Sequence, residues 1–519
     1  MKIERTKNAT RNIIFGVALK IYQILIPFVM RTIMIYFLGM QYTGLNSLFT
    51  SILQVLNLAE LGVGSAMVYS MYKPIVDDDK KRICSLMRLY RTYYNIIGLV
   101  ILIAGVILTP FIPHLIKGDV PADMNVYVYI LYLLNLGATV LSYWLFAYKN
   151  SLFQVFQRQD VVSKVTLVTN TIQYIFQALA IIVLRNYYVY VIMLLAGQAL
   201  TNIVTAIVAT KMYPDLKPGE KLDQASIKEI NHRIRDLFTS RVGSVVVNSA
   251  DTIVISAFLG LTVLAEYQNY YYILSAIIGM VDVIWTSCTA GIGNSLIVET
   301  KEKNLHDLKK FTFLISWIAG VCCCCFLNLF QPFMKMWVGE KYMFGMGVVI
   351  CLVIYYYIYE INRLLNTYKD AGGIWHQDRF RPLATALANL IMNIIMVQFW
   401  GIYGIVLSTV LSMAFVGMPW ILYNLFTTLF EKKQFKGYFR KLMLYASVAA
   451  VITIISGMIC YFVNFGTLTT FVVRAVICLI VPNIFYIAVF RKTKEFKEAV
   501  QLLNNITKNK IPVFRKFAA

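Results

Sequence analysis

The chain is 519 residues long, 59% of them hydrophobic and only 14% charged, with a formal net charge of +22. A soluble globule is nearer about half apolar even with glycine counted, so these proportions exclude one and describe a polytopic membrane protein. The positive residues lie in the breaks between apolar runs, where they encode topology rather than a nucleic-acid surface.

Lys2, Arg5, Lys7 and Arg11 precede the first apolar segment. That segment is too long for the apolar part of a secretory signal and is interrupted by Lys20, so it reads as a retained helix. A helix rising about 1.5 Å per residue needs ~20 residues to cross the hydrocarbon core. On that ruler about fourteen spans are expected, at roughly 12–38, 43–72, 88–114, 125–149, 161–184, 187–212, 236–259, 263–297, 311–333, 343–368, 381–400, 402–428, 441–463 and 468–490. Basic residues collect in the N-terminus, in every second loop and in the tail from Arg491, whereas the opposite loops hold only Lys117, Arg185, Lys335 and Lys341. The positive-inside rule then places both termini in the cytoplasm.

The expected organisation is a six-helix lobe at 1–212, an interfacial linker at 213–235, a second six-helix lobe at 236–430, two appended spans in 431–490 and a basic tail at 491–519. In the linker Ile227, Ile230, Ile234 and Leu237 recur at helical spacing against charged residues, the pattern of a helix lying in the membrane interface. The tail suits anionic headgroups. Two lobes are expected because landmarks recur at an offset of about 220 residues. Lys20 falls on Arg241, Glu60 on Asp282, Phe37-Leu38-Gly39 on Phe258-Leu259-Gly260, Pro110-Phe111 on Pro332-Phe333, and Gln159-Asp160 on Gln377-Asp378. Six spans per lobe make the repeat parallel, and transporters built so hold substrate between halves that rock about it. The linker would let the lobes move.

Charge inside a span costs a few kcal/mol and marks a functional position by default. In span one Lys20, Gln23, Pro27 and Arg31 form one stripe of a helix, and Pro27 frees a carbonyl where the helix can bend. Span two offers Asn46, Thr50, Asn57 and Glu60; span seven Arg241, Ser244, Asn248 and Thr252 with Asp251 at the edge; span eight Gln268, Ser275, Asp282 and Thr286. The candidate substrate-binding residues are therefore Lys20, Gln23, Arg31, Asn57, Arg241 and Asn248, and the candidate ion-coupling residues are Glu60, Asp251 and Asp282. Structural readings stand beside these: Lys20 snorkelling or pairing with Glu60, Arg241 anchoring at the interface, and the carboxylates pairing within the protein. Glu360 and Arg363, at i and i+3, read as a salt bridge. Basic residues on a cavity wall call for an anion, and arginine forks and lysine point charges both suit phosphate or pyrophosphate. The abundant tyrosines suit either sugar rings or interfacial belts.

No phosphate-loop motif, H-E-x-x-H or nucleophile motif occurs, and His114, His232, His306 and His376 are scattered, so an enzyme is disfavoured and no cofactor is expected. Cys322 to Cys325 project around most of a helix and read as small apolar filler rather than a metal site.

Six plus six plus two spans, a Leu-Gly turn after spans one and seven, Tyr368-Lys369-Asp370-Ala371-Gly372-Gly373 followed by Gln377-Asp378-Arg379, and Asn389-x-x-x-Asn393 leading to Gly401-Ile402-Tyr403-Gly404 and Ser408-Thr409 together resemble the polysaccharide-transport branch of the multidrug, oligosaccharidyl-lipid and polysaccharide exporter superfamily. The resemblance covers essentially the whole chain. It implies a bacterial inner-membrane flippase that moves undecaprenyl-pyrophosphate-linked oligosaccharide to the outer leaflet for capsule, exopolysaccharide or O-antigen assembly. It further implies that Lys20, Arg31 and Arg241 line a central cavity and that Glu60, Asp251 or Asp282 couple a proton or sodium gradient. Membrane lipids and glycan polymerase or assembly machinery are the expected partners. The alternatives are a peptidoglycan-precursor (lipid II) flippase, a cation-coupled multidrug exporter of the same fold, and a membrane-embedded glycan polymerase.

Overall fold

The computed structural model describes residues 5–60, 62–118 and 128–506, and among them every regular element is a helix. Eleven helices are long and apolar enough to cross a membrane, or twelve when the bent pair Val128–Trp144 and Ala147–Val155 is one span. One of the eleven, Trp375–Thr428, runs 54 residues. Straight, it would be roughly 80 Å long, more than twice the thickness of a bilayer core. It folds back instead. Asn389 donates to Thr409 Oγ1 at 3.0 Å and Ser408 bonds Asn393, contacts between positions that a straight helix would hold roughly 20–30 Å apart. The reversal sits at Gly401, with φ 56° and ψ −133°, a conformation that a Cβ would forbid. The stretch therefore supplies two crossings. The helix at residues 224–259, with its apolar portion Ser249–Leu259, supplies another. The all-α membrane fold of about fourteen spans expected from the sequence is the fold of the chain.

Contacts divide the chain into two compact units, Met1–Ala265 and Glu266–Ala519. The first contains α1 (Arg5–Phe37), α2 (Met40–Leu56), α3 (Val63–Val76), α4 (Lys80–Leu108), α5 (Val128–Trp144), α6 (Asn150–Val155), α7 (Gln159–Ile182), α8 (Tyr187–Met212) and α9 (Gln224–Leu259). Span two, expected as one helix, is broken. After α2 a tight 3-10 turn takes Asn57–Glu60, Gly62 adopts φ 92° and ψ −22°, and α3 restarts at Val63. The stripe from Asn46 to Glu60 thus does not run down one helix face. Span four breaks as well, bending by 48° between α5 and the turn at Ala147–Lys149 that leads into α6.

The linker between α8 and α9 is strapped along the start of α4. Lys80 pairs with Asp215 at 2.8 Å, Arg88 donates to the Gly219 carbonyl at 3.1 Å, and the Gly219 amide donates to the Cys84 carbonyl at 2.9 Å. A Cβ on Gly219 would lie 2.9 Å from Cys84 Cβ, so glycine is what lets the strap lie flat. The hydrogen bond and charge of Lys80 hold the Asp215 carboxyl below its ordinary range. Asp223 then caps α9 by accepting from the Ser226 amide at 2.9 Å, which depresses its carboxyl too. From that cap α9 runs unbroken for 36 residues, joining the expected interfacial helix and span seven into one rod that packs on α2 and α3.

The second unit begins within α10 (Leu261–Val298) and continues through α11 (Lys301–Trp337), α12 (Met346–Ala371), α13 (Trp375–Asp378), α14 (Arg381–Ser412), α15 (Met418–Thr428), α16 (Lys432–Tyr461), α17 (Thr467–Phe490) and α18 (Lys494–Ile506). One core gathers Trp285, Leu308, Tyr368, Leu425 and Tyr438; a second gathers Phe313, Trp317, Tyr445, Tyr486 and Phe496, where α16, α17 and α18 pack on α11. The first part of the basic tail is thus docked helix: Phe496, Ala499 and Val500 are buried, Glu495 pairs with Lys441, and Glu498 meets His306 at 2.6 Å. Lys508, Lys510, Arg515 and Lys516 lie outside the described residues.

A buried aspartate fixes a helix start in each unit. Asp160, at the start of α7, is held by Arg158 at 2.9 Å and Lys164 at 3.5 Å, and its amide donates to Asn12 Oδ1 at 2.8 Å. Asp378, before α14, takes two bonds of 2.7 Å from Arg381 and one of 2.9 Å from Asn424. Gly39 and Gly260 adopt similar backbone angles, φ 104° and ψ 170° against φ 90° and ψ 174°.

Candidate substrate cavity

The break in span two places its polar residues at a cavity of about 490 Å³ inside the first unit. Glu60 ends the 3-10 turn, and Tyr94 on α4 donates to its Oε1 at 3.4 Å. Tyr94 also receives the Tyr90 hydroxyl at 2.7 Å, one turn earlier on the same helix. From α5, Tyr143 donates to Asn57 Oδ1 at 3.3 Å, and its ring meets that of Tyr94 edge-on at 5.4 Å. Gly64, two residues past the break, leaves room for this cluster, since a Cβ there would lie 3.1 Å from both Glu60 Oε1 and Tyr90 Oη.

The opposite wall is made of amides and hydroxyls. Asn150 and Gln154 come from α6, Thr166 from α7, and Gln198, Thr201, Asn202 and Thr205 from α8. Some of these are fixed by neighbours: Asn202 donates to the Ser142 carbonyl at 2.9 Å, Gln198 to Asn202 Oδ1 at 3.4 Å, and Thr201 to Thr169 at 2.8 Å. Phe146, at the bend of span four, also lines the cavity and holds φ 57°, a left-handed conformation that a bulky residue adopts only under constraint. Broken spans with polar residues at the break are how transporters build binding sites at membrane depth.

Of the candidates, Glu60 lines this cavity, and Asn57 is tied to it through Tyr143. Lys20 and Gln23 are exposed on α1. Arg31 is half-buried and donates to the Ala265 carbonyl at 3.3 Å. The side chains of Arg241 and Asn248 lie outside the described residues. Asp251 is buried on α9. Asp282 on α10 forms an ion pair with Arg363 of α12. That pair replaces the expected Glu360–Arg363 bridge: Glu360 is 1% exposed, and its Oε1 has no hydrogen-bond partner. Arg363 reaches Asp282 on the neighbouring helix, where both side chains keep about 30% of their surface exposed, while Glu360 turns inward.

Sequence reasoning passed over Tyr94, Tyr143, Gln198 and Asn202. The signal was present on α8, where Gln198, Asn202 and Thr205 recur at four- and three-residue spacing in an otherwise apolar span.

A family model described as "Polysaccharide biosynthesis protein" matches residues 9–290, more than half of the chain. The chain belongs to that family. Its cavity, built from residues 60 to 205, lies wholly within the matched segment. Among solved structures, the fold of the chain is similar to that of the lipid II flippase MurJ in an inward closed conformation, with a TM-score of 0.70 at 14% identity over 92% of this chain and 99% of that one. It is also similar to an inward-facing multidrug resistance MATE transporter of the MOP superfamily, with TM-score 0.59 at 12% identity over 82% and 99%. A MOP superfamily transporter from Pyrococcus furiosus follows with 0.50 at 14% over 83% and 96%. No curated protein matches the chain. The family match and the apolar helices make the chain a multi-pass membrane protein of that family, and its fold is the one these flippase and transporter structures share.

Proposed function

We propose that the protein is a flippase for undecaprenyl-pyrophosphate-linked oligosaccharide, carrying repeat units across the bacterial inner membrane by alternating access for capsule, exopolysaccharide or O-antigen assembly. The observation that carries this reading is the polar cavity built at two broken spans within the segment that matches the polysaccharide biosynthesis family. The shared turn geometry at Gly39 and Gly260 and the paired corners at Asp160 and Asp378 support two homologous lobes, the architecture that rocking access needs. Both termini face the cytoplasm by the distribution of basic loops. Lys20, Arg31 and Arg241 serve the pyrophosphate, Glu60, Asp251 and Asp282 are the carboxylates available for proton or sodium coupling, and a glycan polymerase receives the product.

Deletion of the protein is expected to strand lipid-linked repeat units on the cytoplasmic leaflet while the cells stay viable. Normal surface glycan in the deletion strain would refute the reading. Lysis with accumulation of lipid II would assign the peptidoglycan precursor instead, and a changed drug-sensitivity panel with normal glycan would assign a multidrug exporter.

A further inference from the structure

Two carboxylates in the second unit stand against one guanidinium. Asp282 of α10 holds Arg363 of α12, and Glu360 lies one turn before Arg363 on the same helix, within its reach by the i, i+3 spacing. Asp282 and Arg363 leave 32% and 29% of their side-chain surface exposed, and an exposed charge inside a span faces a water-filled cavity by default. Glu360 is enclosed. Its Oε1 and the hydroxyl of Tyr356, one turn earlier, are both buried without a hydrogen-bond partner. The other titratable groups beside it are Tyr359 on its own helix and the thiols of Cys322 and Cys323 on α11, which bring no positive charge. On α14 and α15, which also pack on α12, the titratable groups are Arg381, held by Asp378 and Asn366, Tyr403 beside Cys351, and the exposed Tyr423. An ionised carboxylate enclosed without a partner is far costlier than a neutral one. One guanidinium against two carboxylates leaves one negative charge over, and a proton on the enclosed group removes it.

We propose that Glu360, Arg363 and Asp282 form a proton-exchange site, in which Arg363 pairs with one carboxylate at a time and Glu360 carries a proton whenever Arg363 is on Asp282. The observed Asp282–Arg363 pairing is the protonated state of the site. When Arg363 turns to Glu360, the carboxyl O–H bond breaks and the proton passes to water beside Asp282. Glu360 becomes the ionised partner, Asp282 is left to solvent, and the one proton released balances the one negative charge gained. A hard cation takes about six oxygen ligands, whereas a proton needs only the one carboxylate. The proposal rests on the flippase reading and adds where a proton is taken up and released in the cycle.

The test uses the full chain in an ester-free detergent at neutral pH, with infrared spectroscopy reading the C=O stretch of protonated carboxyl groups. Glu360→Gln and Asp282→Asn keep the side-chain shapes; size-exclusion profiles confirm folding, and either variant decides alone if the other does not fold. A protonated-carboxyl band in wild type that Glu360→Gln removes supports the site. Asp282→Asn should remove the same band, because Arg363 is then free for Glu360, and a merely structural ion pair would not erase the band of a residue left in place. Absence of the band from wild type, or its survival in either folded variant, overturns the proposal. In proteoliposomes the two claims separate. Wild-type flipping that quickens under an imposed pH gradient, with that response lost in Glu360→Gln, supports the coupling. A response to a sodium gradient alone, a response to neither gradient, or an equal pH response in the folded variant overturns it. No flipping by wild type sinks the flippase reading, and the infrared band then decides the proton site by itself.

Discussion

Replacing Asp378 by alanine is expected to destabilise the second unit by about 3–5 kcal/mol, the cost of leaving a buried charge uncompensated. The Asp378 side chain is 2% exposed and that of Arg381 9%. Arg381 is also held by Asn366 at 2.7 Å, so the guanidinium stays inside when its carboxylate is removed. Asp160 provides the internal comparison. Its own side chain is fully buried, but Arg158 and Lys164 keep 26% and 47% of their side-chain surface exposed and can turn to water. Asp160→Ala should therefore cost only the lost charge-assisted bonds, about 1.5–3 kcal/mol. Asp378→Ala combined with Arg381→Met removes both charges and should recover at least half of the single-variant loss, since a buried pair replaced by apolar groups is often close to neutral. Thermal unfolding of the purified full chain, followed by size-exclusion after heating, reads the effect. At about 2 °C per kcal/mol for a body of this size, Asp378→Ala falls by roughly 6–10 °C. Equal losses at Asp160 and Asp378, or a double variant as weak as the single, would refute the reasoning.

Glu60→Gln should slow glycan export about tenfold or more at unchanged membrane abundance, through loss of one charge-assisted hydrogen bond to substrate; wild-type surface glycan would count against Glu60 as a cavity contact. Arg31→Ala, which removes among other contacts the 3.3 Å bond to the Ala265 carbonyl, should impair export at unchanged membrane abundance. Normal export in that variant would remove Arg31 from the substrate path. At the docked tail, burial raises the Glu495 carboxyl, but Lys441, the residue's own backbone amide and His306 outweigh it, leaving the folded value below the ordinary 4.5. A depressed carboxyl stabilises above its unfolded pKa and loses that contribution as pH falls through the folded one. Hydrogen exchange should show α18 protected down to about pH 4.5 and released below it, and Lys441→Met should move release to higher pH. Release at the same pH in both proteins would contradict the assignment.

The spans were legible because burial in lipid demands about 20 apolar residues whatever the tertiary context. The break in span two was not. Asn57 to Gly62 sits inside an apolar run, and the turn depends on Tyr143 and Tyr94 arriving from α5 and α4. Gly62 was a visible signal of it, since glycine takes the left-handed conformation without steric cost and so marks where a helix can break. Asp282 was singled out by its offset from Glu60, yet its partner Arg363 lies 81 residues away. The i, i+3 spacing of Glu360 and Arg363 described neighbours on one helix and could not register the carboxylate offered by α10. The amphipathic stripe from Ile227 to Leu237 marks a helix, but no periodicity reveals the contacts by which Asp215 and Gly219, ahead of it, are tied to α4.

The central claim is that this chain flips a lipid-linked oligosaccharide, and reconstitution tests it most directly. Purified protein in liposomes, with an undecaprenyl-pyrophosphate-linked oligosaccharide in the inner leaflet and a sugar-modifying enzyme outside, should render the inner pool accessible at a rate proportional to protein content. An inner pool that stays protected at every protein density would contradict the account.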